Sequence, residues 1–128
     1  MQDRNILSKD DILKLLGEIN SKLANDNRDG QIYLAGGASL ALAFGARDLT
    51  YDIDAIYEPK EYMRGLFKEI ADEHGLHDDW LNDGVKGFVT PAMKFDKLFE
   101  YSNLTVSSIN AESLLAMKLI AARQTVTI

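Results

Sequence analysis

Cysteine is absent from the 128 residues. That removes disulfides, thiolate zinc sites and cysteine nucleophiles, so any metal must be held by oxygen or histidine. No apolar run approaches the roughly 20 residues needed to cross a bilayer. The first residues, "MQDRNILSKDD", have neither the basic start nor the apolar stretch of a secretory signal. These absences lead us to expect a cytoplasmic protein with no membrane partner. Basic residues are in the minority, 14 Lys and Arg against 20 Asp and Glu, for a formal charge of −6. The chain therefore lacks the overall basic footprint of a nucleic-acid binder, and a polyanion would need a local basic face or a divalent cation to approach. With two prolines, no low-complexity stretch and 46% hydrophobic residues, residues 1–128 are expected to fold as a single domain with a genuine core.

What is present has a clear order. Ser8 followed by Asp11 reads as a helix start, and Ile12, Leu15, Leu16, Ile19 and Leu23 then recur at helical spacing to about residue 25. "NDNRDG" supplies turn chemistry, and "QIYLAG" reads as a first buried strand. Gly36-Gly37 leads into "ASLALAFGA", expected to be a short buried helix from about 38 to 45 closed by Gly45. "TYDIDAIYE" alternates as a second strand, with Asp52, Asp54 and Ile56 on one face and Tyr51, Ile53 and Ala55 on the other. An amphipathic helix follows from Lys60 to His74, ended by Gly75. A short helix is expected near "DDWLND", then irregular or edge-strand structure. "LTVSSI", 104–109, is β-branched and reads as the third main strand, and Asn110 is placed to cap a last helix containing Leu114, Leu115, Met117, Leu119 and Ile120, with Lys118 off its central stripe. "QTVTI" follows abruptly and leads to the expectation that this helical end is truncated.

The spacing of Asp52 and Asp54 carries chemistry. Residues two apart on a strand point the same way, with Cα atoms roughly 6–7 Å apart, so two carboxylates would repel unless a cation lay between them. Hard oxygen ligands so arranged suit Mg²⁺, which completes its shell with water and phosphate oxygens. Charges that protect an edge strand are the competing explanation. Gly36-Gly37 between a strand and a helix lets the backbone approach an anion and presents N–H groups to it, although such a pair more often makes only a tight turn. Ser39 adds a hydroxyl in the first helical turn.

Together these residues resemble the nucleotidyltransferase superfamily with the polymerase-beta-like fold, whose signature is a Gly-Gly or Gly-Ser turn followed by Asp-x-Asp on the next strand. The string "GGASLALAFGARDLTYDID", with Arg47 and Thr50 ahead of the aspartates, is most similar to the bacterial branch related to AbiEii-type toxins. "WLNDGVK" (80–86) and "LLAMKLIAAR" (114–123) resemble that branch too, so the likeness spans roughly residues 30–123. The resemblance implies an α+β fold, a small mixed β-sheet with helices packed on it. It implies transfer of a nucleoside monophosphate from an NTP to a hydroxyl on RNA such as tRNA, on a protein or on a small molecule, within a toxin–antitoxin system whose cognate toxin or antitoxin would be a partner. Asp52 and Asp54 would be catalytic and would carry two Mg²⁺ ions. Gly36, Gly37 and Ser39, with Arg47 and Thr50, would bind the nucleotide, and Lys118 would neutralise phosphate charge. Polymerase-like members carry a third carboxylate on a later strand, where "LTVSSI" offers Thr105, Ser107 and Ser108. That departure supports the alternative of a degenerate copy acting as a nucleotide-binding or antitoxin-like interaction module.

Other chemistry-bearing residues have plainer explanations. Lys60, Arg64 and Lys68 line one helix face, but Glu58, Glu61, Glu69 and Asp72 among them make a solvated mixed-charge surface the expectation. "HGLHDD" crosses a glycine turn and lacks the regular spacing of metal ligands on one helix face. Trp80 is expected in the core rather than as a stacking surface for a base. For Lys118, snorkelling to solvent competes with a phosphate contact.

Overall fold

A computed structural model describes residues 6–45 and 49–125. The chain is mixed α+β, with four helices and a five-stranded mixed sheet among the described residues. β1 (Leu7–Ser8) leads into α1 (Lys9–Asn25), whose start is a reciprocal capping box: Asp11 N–H donates to Ser8 Oγ at 3.1 Å and Ser8 N–H to the Asp11 carboxylate at 2.8 Å. β2 (Gly30–Leu34) and α2 (Gly37–Leu42) follow, then β3 (Leu49–Thr50), which pairs antiparallel with β1 in a separate ribbon. β4 (Ile53–Glu58) runs into α3 (Lys60–His74), which ends at Gly75 with φ +68°, a left-handed conformation that glycine adopts without the Cβ penalty. After β5 (Leu81–Asn82) and a 3₁₀ turn (Gly84–Phe88), the hairpin of β6 (Phe95–Glu100) and β7 (Leu104–Ile109) leads to α4 (Ala111–Thr125).

The main sheet has the order β5-β4-β2-β7-β6. β2 is antiparallel to β4 and parallel to β7, β5 is parallel to β4, and β6 closes the far edge antiparallel to β7. Alternation then sorts the strands. Ile32, Leu34, Ile53, Ala55, Tyr57, Leu104 and Val106 are buried together under α1 and α3. Ala35 and Ile109 fall on the opposite face, where they join Val85 and the α4 residues Leu114 and Met117 in a second, smaller core. α1 buries Ile12, Leu15, Leu16, Ile19 and Leu23 and α3 buries Met63, Leu66, Phe67, Ile70 and Ala71, as their spacing predicts. On α4 only Leu114 and Met117 of the expected stripe are buried and Leu115 and Leu119 are exposed, because the small second core covers one narrow face of that helix.

Several expectations need correcting. The second strand does not begin at Thr50: Leu49 and Thr50 pair with β1, Tyr51 and Asp52 form a bend, and β4 starts at Ile53. The switch of pairing partner between Thr50 and Ile53, which local sequence does not display, breaks the run. "DDWLND" is not helical. Its Leu81 and Asn82 are captured as a strand by β4, with Ile53 N–H donating to the Trp80 carbonyl at 2.7 Å. α2 stops at Leu42, three residues before Gly45, which has φ +60°. Residues 104–109 form the expected strand, and Asn110 caps α4 by accepting from Ser113 N–H at 2.8 Å. α4 continues through Gln124 and Thr125, and Val126–Ile128 lie outside the described residues.

Candidate functional site: the glycine turn and the β4 carboxylate

β2 and β4 are antiparallel, with Leu34 paired to Ala55. The next step of the ladder brings Ala35 N–H onto the Asp54 carbonyl at 3.0 Å. Gly36, which opens the turn into α2, therefore lies directly against the Asp54 side chain. A Cβ on Gly36 would collide with the Asp54 carboxylate oxygen and come within 3.0 Å of Asp54 Cβ and 3.1 Å of its Cγ. Only a residue without a side chain lets the two elements meet this closely. Antiparallel pairing thus joins two motifs that lie 18 positions apart in the chain.

Asp54 alternates with the buried Ile53 and Ala55, so its half-buried side chain lies on the sheet face away from α1 and α3. Asp52 precedes the strand, also half-buried, in the bend after Thr50. Thr50 is buried, and its Oγ1 donates to the Asp52 carbonyl at 3.4 Å, a long bond that ties the bend to β3. Gly36 and Gly37 are both half-buried. Ser39 is fully buried, and its Oγ has no hydrogen-bond partner among the described residues. A buried hydroxyl with nothing to bond is uncommon, and it sits one turn into the short helix that starts at the glycine pair.

The structure thus gathers Gly36, Gly37, Ser39 and Asp54, and links Asp52 to Thr50 through the bend. Lys118 is exposed on α4 and forms no ion pair with a described residue. Arg47 lies outside the described residues. Sequence reasoning missed Asn82, which the β4–β5 register places beside Asp54. Its amide accepts from Gly84 N–H at 3.0 Å and donates to the Asp79 carbonyl at 2.9 Å, fixing the loop at this edge. A two-residue strand carries no periodic signal, so only the "ND" and "DG" turn chemistry around it was legible.

Each cation of the α3 stripe has a carboxylate within 4 Å, although Lys60 shares Asp83 with Lys86. Lys60 lies 3.2 Å and Lys86 3.5 Å from the Asp83 carboxylate, Arg64 3.5 Å from Glu61, and Lys68 3.9 Å from Asp78. Burial pushes the Asp83 carboxyl upward, but the two lysines outweigh it and hold the group below its ordinary 3.8. Trp80 is fully buried, donates Nε1–H to the Phe67 carbonyl at 2.8 Å and meets the Phe67 ring edge-on at 5.9 Å. It is core, as expected, and offers no surface to a base.

Comparison with protein-family models, curated proteins and solved structures finds no match to this chain.

Proposed function

We propose that the chain is a nucleotidyltransferase-like domain of the polymerase-beta-like type, binding an NTP with Mg²⁺ at the Gly36-Gly37 turn and the Asp52/Asp54 carboxylates. The observation that carries this reading is the contact between Gly36 and Asp54. It sets a carboxylate, suited to a hard cation, against a backbone turn able to receive phosphate oxygens. The donor set fits Mg²⁺, which needs only one or two protein carboxylates when phosphate and water supply the rest.

In this reading Asp52 and Asp54 hold the metal, whose chemistry when bound is to activate the attacking hydroxyl and stabilise the departing pyrophosphate. Gly36 and Gly37 position the phosphates with their peptide groups. Ser39 is interior, so its hydroxyl reaches an anion only if the first turn of α2 shifts; otherwise it supports the turn from beneath. Lys118, on the exposed side of α4, supplies charge to a phosphate that extends toward that helix. The acceptor would be a hydroxyl on RNA, on a protein or on a small molecule, and a toxin–antitoxin role remains part of the proposal.

A second reading, a module that binds nucleotide or a partner protein without turnover, is favoured by the register around Asp54. Along β7 the residues on its face of the sheet are Thr105, Ser107 and Ile109, and on β5 it is Asn82. None is a carboxylate, and two carboxylates hold a pair of divalent ions weakly.

Thermal unfolding with Mg²⁺ and each NTP tests both. Either reading with nucleotide bound gives a metal-dependent rise in Tm that Asp52→Ala and Asp54→Ala remove, and release of pyrophosphate separates the first from the second. No shift with any nucleotide sinks the proposal.

A further inference from the structure

On the far side of the sheet from Asp54, the helix pair α1–α3 carries a group of side chains that the proposed function does not use. Glu18 of α1 and Glu73 and His74 of α3 each offer a ligand atom, and these atoms all lie within 4.8 Å of one another. His74 Nε2 is 2.8 Å from Glu18 Oε1. We propose that Glu18, Glu73 and His74 form a binding site for a transition-metal ion of the Zn²⁺ class, independent of the Asp52/Asp54 centre.

Three features carry this. The first is donor chemistry. An imidazole with two carboxylates suits Zn²⁺, whose common sites take three protein ligands and leave a position open, whereas Mg²⁺ and Ca²⁺ prefer oxygen alone. Ligands about 2.0–2.2 Å from a tetrahedral ion stand about 3.4 Å apart, so atoms spread as far as 4.8 Å must draw in by up to about 1.4 Å while the Glu18–His74 pair opens from 2.8 Å. The side chains of Glu18, Glu73 and His74 are 37%, 49% and 43% exposed, which leaves them the rotamer freedom to do so.

The second is charge. Asp11, Glu18, Glu69 and Glu73 surround this end of the helices, opposed by Lys14 and Lys22. Four carboxylates against two lysines leave the patch net acidic, which favours a divalent cation. Lys22 sits 3.0 Å from Glu73 but 2.7 Å from Glu69, so it keeps a partner when Glu73 turns to a metal. His74 and Glu73 also lie in the last turn of α3, where the carbonyl end of the helix favours a cation.

The third is the setting. Glu18 and His74 line a cavity of about 270 Å³ floored by Leu7, Leu15 and Leu76. The open coordination position has room there for water or a small anionic ligand. Buried Leu15 and Ile19 on α1 and Ile70 and Ala71 on α3 fix the spacing of the helices beneath the site.

The test is titration of the full chain with Zn²⁺, and with Co²⁺ as a visible reporter. The proposal expects one saturable equivalent, a higher Tm with Zn²⁺, and Co²⁺ absorption bands that Zn²⁺ abolishes and Mg²⁺ does not. His74→Gln and Glu18→Gln should each weaken binding more than about tenfold. His74 is exposed and Glu18 half-buried, and circular dichroism checks that each variant is folded. Asp52→Ala/Asp54→Ala should bind Zn²⁺ as the parent does, which separates this site from the proposed nucleotide centre. Weak binding of several equivalents, or affinity unchanged in His74→Gln and Glu18→Gln, overturns it.

Discussion

Gly36→Ala is the substitution whose consequence the geometry states most directly. Gly36 has φ −140° and ψ −135°, and its contact with Asp54 leaves no room for a side chain there. The new methyl would sit 3.0 Å from Asp54 Cβ and 3.1 Å from Cγ, where carbon atoms prefer about 3.5–4.0 Å. Rotating the aspartate moves its carboxylate but not its Cβ. Relief therefore needs about half an ångström of separation between the turn and β4, against the 3.0 Å bond from Ala35 N–H to the Asp54 carbonyl. Overpacking of this kind costs about 1–3 kcal/mol, and alanine returns about 0.4–1 kcal/mol by restricting the unfolded chain. The net, about 1–2 kcal/mol, corresponds to a fall in Tm of about 4–8 °C. A double-mutant cycle isolates the cause. In an Asp54→Ala background Cγ and the carboxylate are gone while Cβ remains, so Gly36→Ala should be less destabilising there by about 0.5–1 kcal/mol. Denaturant unfolding of the four proteins measures it. Equal losses in both backgrounds refute the claim that turn and carboxylate are in contact.

Further outcomes follow from the packing and the caps. Trp80→Ala, which empties a fully buried ring site and deletes the hydrogen bond to Phe67, should cost about 3–5 kcal/mol in denaturant unfolding. Ser8→Ala removes the hydroxyl that accepts from Asp11 N–H and should cost about 0.5–2 kcal/mol. Asp11 is held below its ordinary 3.8 first by the backbone N–H of Ser8 and then by its hydroxyl. Because folding lowers this pKa, its contribution is fully present above about pH 4 and fades as the pH falls through the lowered value. A pH series of Tm should therefore show a smaller acid loss for Asp11→Asn than for the parent. Gly75→Ala places a Cβ at φ +68° and should lower stability by about 1 kcal/mol, with no added effect from packing because nothing lies within 4 Å of that Cβ.

The helices α1 and α3, the strands β2 and β7 and the caps Ser8, Gly75 and Asn110 were legible in the sequence, because each rests on interactions among residues a few positions apart. Apolar spacing chooses the buried face of a helix wherever the helix ends up, and a capping box closes within four residues. The Asp-x-Asp and Gly-Gly motifs were legible for the same reason, as local strings. Tertiary structure alone decided what those strings meet. That Thr50 turns to β1 while Ile53 turns to β5 and Ala55 to β2, that Leu81–Asn82 becomes a strand, and that Gly36 lies on Asp54 all depend on pairing between distant segments. So does the meeting of Glu18 with Glu73 and His74, which lie more than 50 positions away and were invisible while "HGLHDD" was read by itself. Such pairings are selected by the combined burial of both sheet faces, and no short window of sequence contains that sum.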